Sequence, residues 1–169
     1  MKLEFTQACN QLAKWIEQSQ GQPIDIDSTE SYAFLCEKRF TASDISTFEE
    51  NYGVQLGEAY CYFLQKVGAA RLFIGEYTAA VEFVAPDKLQ HWSAAVFENY
   101  GTDPFTQLLL CAGLLNYNFY AGFDLTRAER NFAFFYPDVD PEYWLEDADF
   151  VDFQTWVIHL VNSKGKLYI

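Results

Sequence analysis

Apolar residues recur at helical spacing over Glu4–Gln18, where Ala8, Leu12, Trp15 and Ile16 share one side, and the run Ser19-Gln20-Gly21-Gln22-Pro23 breaks the period. The connection to Ser31 is polar and acidic, and Tyr32 to Phe40 is ambiguous between a short strand and a helical turn. Two short amphipathic helices follow. The first carries Ile45, Phe48 and Tyr52 on one face. Ser43 or Ser46 can cap it, with Glu49 placed to complete a capping box after Ser46, and Gly53 can take the left-handed conformation that ends it. The second, Gly57 to Val67, presents Tyr60, Phe63, Leu64 and Val67, the stripe of a helix packed on a sheet, before Gly68 stops it.

Beyond this pair the period becomes that of strands. Arg71–Gly75 and Val81–Val84 read as strands interrupted at Glu76–Ala80 by a turn or a bulge. Pro86 then opens a helix with Leu89, Trp92, Val96 and Tyr100 on its apolar face, and Asp87 suits the positive end of its dipole. Gln107–Ala112 is nearly all apolar, as a strand buried on both faces would be, and Asn118–Leu125 is expected to pair with it across Gly113-Leu114-Leu115-Asn116. Asn131–Tyr136 adds a strand, and Pro137 and Pro141 mark a loop. A last helix from about Phe150 to Asn162 offers Val151, Phe153, Trp156, Val157, Leu160 and Val161. Helices at both ends around adjacent strands predict a single α+β domain, a mainly antiparallel central sheet flanked by helices. Residues 1–43 read as an N-terminal helix and connecting segment, and 44–169 as the main body.

Composition narrows the functional classes. With half its residues apolar and 18% aromatic, the chain is too hydrophobic to be disordered, and 169 residues suffice for one real core. A net charge of −13 argues against nucleic acid or an anionic membrane as a direct ligand and permits a basic partner. Cys9, Cys36, Cys61 and Cys111 are widely spaced with no Cys-x-x-Cys pair, which is not a zinc pattern and suits a reducing compartment. The opening MKLEFTQACNQL lacks the apolar core of a signal peptide, and no run reaches the length of a membrane span. A cytoplasmic location is the expectation.

The order Phe48-Glu49, Tyr52-Gly53, Leu56, Tyr60 and Phe63-Leu64, followed by a small-residue turn, resembles the opening of SUKH superfamily domains, which group bacterial immunity proteins with a fungal cell-wall synthesis regulator. The resemblance continues through LLLCAGLLNYNFYAGFDL, from Leu108 to Leu125, the aromatic run Phe132–Tyr136, and Ala148-Asp149-Phe150, so that it spans Asp44 to Val161. Gly57 stands where the family usually has proline, and Val67-Gly68 where it usually has Asn-Gly. The resemblance implies an immunity protein that binds and neutralises a cognate polymorphic toxin, often a nuclease, by stoichiometric contact. Its alternative is a regulatory or scaffold module like the fungal member.

Residues for catalysis are sparse. His91 and His159 each lie in a predicted helix without a ligand partner at metal spacing, and phosphate-loop, Gly-x-Ser-x-Gly, His-Glu-x-x-His and calcium-loop patterns are missing. No enzyme activity, cofactor or metal is therefore expected. Seven carboxylates fall between Asp138 and Asp152 with no Lys or Arg among them, and Tyr136, Tyr143 and Trp144 are interleaved. Like charge at this density repels itself, and a basic partner would relieve it. The candidate partner-binding residues are Asp138, Asp140, Glu142, Tyr143, Trp144, Glu146, Asp147 and Asp149. The alternative reading is a solvated acidic loop with Trp144 tucked into the core.

Overall fold

A computed structural model describes residues 1–101, 103–114, 117, 119–136 and 138–166. Of the expected turn Gly113-Leu114-Leu115-Asn116, Gly113 and Leu114 are instead strand residues paired with Tyr120 and Phe119, while Leu115, Asn116, the strand start at Asn118 and the loop marker Pro137 lie outside the described residues. Among the described residues, seven strands form one sheet whose spatial order is the chain order: β1 (Ile24–Asp25), β2 (Ser31–Lys38), β3 (Ala69–Ile74), β4 (Val81–Phe83), β5 (Leu108–Leu114), β6 (Phe119–Asp124) and β7 (Phe132–Phe135). Every neighbouring pair is antiparallel, so the expected α+β architecture is an antiparallel meander with helices inserted between strands. The segment left open over Tyr32–Phe40 is mostly strand β2.

Helix α1 (Leu3–Ser19) precedes the sheet; α2 (Ala42–Tyr52) and α3 (Glu58–Lys66) join β2 to β3. Helix α4 (Pro86–Val96) joins β4 to β5, and α5 (Trp144–Asp147) and α6 (Phe153–Asn162) follow β7. The start of α2 differs from expectation. Thr41, rather than Ser43 or Ser46, is the cap: its hydroxyl accepts from the Asp44 N–H at 3.1 Å while the Asp44 carboxylate accepts from the Thr41 N–H at 2.8 Å. Glu49 instead accepts from the Leu56 N–H at 2.7 Å, holding the turn between α2 and α3. Helix α4 ends one turn short of Tyr100 because Phe97, not Tyr100, enters the core.

The alternation of side chains along the inner strands divides the interior in two. Leu109 and Cys111 of β5, Ala121 and Phe123 of β6, and Phe132 of β7 face the main core beneath α1, α2, α3 and α6. Leu108 and Leu110 of β5, with Ala133 and Phe135 of β7, face a smaller second core closed by Phe97, Trp144 and Phe150. The uninterrupted apolar run of β5 follows from this burial on both faces. At the centre of the main core, Phe153 of α6 meets the rings of Phe5, Tyr60, Phe63, Phe83, Phe123, Phe132 and Trp156 at centroid distances of 5.1–6.4 Å. Residues 1–43 supply α1, which packs on α6 and β2, and the Ser19 hydroxyl at its end accepts from the Phe34 N–H at 2.8 Å.

Candidate partner-binding surface

The acidic segment begins where β7 ends. Tyr136 leaves the sheet, Pro141 starts a 3-10 turn over Pro141–Tyr143, and the chain passes directly into the single turn of α5. Proline suits that first position because its fixed angle is helical and its missing N–H leaves no donor unpaired. Phe150 then dips into the second core, Val151 exchanges both backbone hydrogen bonds with Phe132, and Asp152 caps α6 by accepting from the Thr155 N–H at 2.9 Å.

Trp144 fixes this path. Its side chain is 3% exposed, stacked on Phe135 at 5.0 Å with 15° between the planes, and its indole N–H donates to the Val139 carbonyl at 2.9 Å. The sequence-based placement of Trp144 among partner-facing residues thus gives way to burial, for an indole stacked in the core presents nothing to a partner. Asp152, the last carboxylate of the string, is likewise occupied, pairing with Lys2 at 2.7 Å as well as capping α6. The remaining seven candidates, Asp138, Asp140, Glu142, Tyr143, Glu146, Asp147 and Asp149, are all exposed. None of the ion pairs among the described residues engages them. The Tyr143 hydroxyl registers the resulting field: its hydrogen bond to Glu142 and the negative charge of that carboxylate push its pKa up, with smaller contributions from burial and from Asp140 and Glu146.

A second brace lies at the end of β6. Asp124 is buried and accepts from the Thr126 N–H and hydroxyl and from the Arg127 guanidinium at 2.7 Å. Burial pushes its carboxyl up, but these bonds together hold it below the ordinary aspartate value. Arg127, so oriented, lies 4.1 Å over the Phe150 ring and donates to the Leu145 carbonyl at 3.2 Å. The aspartate that closes β6 therefore holds the acidic segment through one arginine.

Exposed aromatics missed by sequence reasoning extend the surface. Tyr117 stands 6.3 Å from Phe119, whose ring is 5.3 Å from Tyr136, and Tyr100 lies beside Pro141 and Glu142. Helical spacing puts Tyr100 on a core-facing stripe, and only the early end of α4 frees it. Elsewhere, a cavity of about 480 Å³ at the start of α3 is lined by charges of both signs, among them Lys2, Glu58, Glu129 and Arg130. The Cys111 thiol lies against the buried Tyr60 hydroxyl, and burial pushes both far above their ordinary values, so neither exchanges protons near neutrality. Cys9 is pushed up to about 12 by burial. His91 and His159 are exposed on α4 and α6. Among the described residues, no group of three or more His, Cys, Asp or Glu side chains could hold a metal ion, and no helix is long and apolar enough to cross a membrane.

The chain is 36% identical over 165 residues to the immunity protein RhsIB of Dickeya dadantii (strain 3937), a similarity that covers 97% of this chain and 99% of that protein. No family model and no solved structure matches the chain.

Proposed function

The chain belongs to the family of the immunity protein RhsIB, and from that premise we propose that it neutralises a cognate bacterial toxin by stoichiometric protein–protein binding, without catalysis. The end-to-end identity to an immunity protein carries this reading. The resemblance of the stretch from Asp44 to Val161 to SUKH domains supports the same reading, and a cytoplasmic location is part of the proposal. The finer proposal is that the exposed carboxylates between Asp138 and Asp149 face the toxin. They form an unneutralised negative strip on a braced support, and a net charge of −13 strengthens its reach. A toxin that cleaves nucleic acid must be basic to hold phosphates, so it would be drawn to this strip and its active site occluded. No base, nucleophile or metal is needed for inhibition of that kind.

Co-expression with the toxin domain encoded beside its gene is the test. Restored growth together with a one-to-one complex on size exclusion is the expected outcome. Continued toxicity with no complex formed would refute the proposal.

A further inference from the structure

We propose that the notch beside the acidic segment receives an arginine side chain of the partner, an assignment that rests on the toxin-binding reading above. The notch has a volume of about 290 Å³ and lies between the end of α4 and the 3-10 turn. Phe97 and Leu108, at 4% and 1% exposure, form an apolar wall that is continuous with the second core and therefore fixed in place. Leu145 and Pro141 line the other side, the half-exposed Tyr100 offers its ring, and Glu142 places an exposed carboxylate at the rim.

An aliphatic stem against apolar walls, a flat cation on an aromatic face and a carboxylate at the mouth describe one side chain better than any other. Arginine is planar, permanently charged and weakly hydrated, so it can enter a partly apolar notch and pair bidentately with a carboxylate. Lysine would bring a compact, strongly hydrated charge that the walls would desolvate without stacking. Charge complementarity points the same way, since Glu142 lines the notch, the exposed carboxylates Asp140 and Glu146 flank it in sequence, and no ion pair among the described residues neutralises them. The fold already uses this chemistry beside the same segment: Arg127, just after β6, lies 4.1 Å over the Phe150 ring while its guanidinium bonds Asp124. The notch presents the same pairing of ring and carboxylate with the arginine left to be supplied from outside.

Isothermal titration of the neighbouring gene's toxin domain into the wild type, Glu142→Gln, Tyr100→Ala and the double variant tests this, with Tyr77→Ala in the exposed β3–β4 loop as control. Each notch variant should weaken binding at least tenfold, the double variant should lose less than the product of the two, and the control should match the wild type. Thermal melts within a degree or two of wild type would show that the variants fold. Notch variants within twofold of wild type, while the wild type still binds, would overturn the notch and leave the immunity reading standing. No binding by the wild type would overturn both. A second arm uses acetylated, amidated Gly-Gly-Arg-Gly-Gly and its lysine counterpart in amide chemical-shift titrations. Shifts confined to the surroundings of Tyr100 and Glu142 with the arginine peptide support the assignment; equal shifts with the lysine peptide, or none with either, overturn it.

Discussion

Truncating Trp144 should detach the acidic segment without unfolding the protein. A tryptophan buries at most roughly 250 Å², which at about 25 cal/mol per Å² sets a ceiling near 6 kcal/mol. Partial relaxation of the site brings Trp144→Ala into the range of about 3–5 kcal/mol. Trp144→Phe keeps a ring against Phe135 and loses chiefly the indole bond to the Val139 carbonyl, about 1 kcal/mol. The loss falls on the second core, which shares none of Phe97, Leu108, Leu110, Phe135 or Phe150 with the main one. Urea denaturation gives the global cost, and amide hydrogen exchange locates it. In Trp144→Ala, protection should collapse over residues 138–150 while α1 and α6 stay protected, and toxin affinity should fall with it. A cost below about 1 kcal/mol, or protection lost evenly across the chain, would refute the idea that this indole braces the segment.

Other consequences can be checked separately. Reversing Asp138, Asp140, Glu142 and Glu146 to lysine, four changes of two charges each, takes the net charge from −13 to −5. Stopped-flow association with the toxin should slow by about 10- to 1000-fold and lose most of its salt dependence; an unchanged rate would remove this surface from the interaction. Asp124→Asn should cost about 1.5–3 kcal/mol at neutral pH, because a buried charged acceptor loses its arginine. The native carboxyl of Asp124 titrates below its unfolded value, so its contribution is complete above about pH 4 and lost as pH falls through the lowered native value. Denaturation curves of wild type and variant should therefore converge in acid, and a gap that persists there would disprove the linkage. Gly53→Ala and Gly68→Ala separate backbone strain from collision. Both have positive φ, +64° and +90°, but an added Cβ meets nothing within 4 Å at Gly53 and falls 2.3 Å from the Lys38 carbonyl at Gly68. The first should cost about 1 kcal/mol and the second clearly more in the same urea assay.

Period and punctuation made most of the framework legible. The stripes of α1 and α3, that of α6 from Phe153 onward, and the doubly buried run of β5 appear where their apolar spacing predicts them, since burial on one face or two writes itself directly into the pattern; Val151, expected on the α6 stripe, instead pairs with Phe132 ahead of the helix. Local polar chemistry was less legible. Ser43 and Ser46 read as the caps of α2, and the chain's path out of β2 puts Thr41 there instead. β2 was ambiguous because its pattern is irregular, with register shifts against β3 at Ala33/Leu35 and Cys36/Lys38. In the candidate surface, the carboxylates were legible because a run of like charge cannot be buried. The fate of Trp144 and Tyr100 was not, because it depends on where α4 stops and on a second core assembled from distant segments.

The backbone exchange between Val151 and Phe132 bears on self-association. β7 reads Phe-Ala-Phe-Phe and is the last strand of the sheet, so its outer rim would offer an apolar template for pairing with another molecule. The returning chain occupies the hydrogen-bonding groups of Phe132, and the acidic crossover that leads to it sets like charge against any second copy approaching that rim. The segment proposed to recognise a foreign protein is thereby expected also to hinder edge-to-edge pairing at β7. Variants that loosen it should be recognised first by concentration-dependent precipitation.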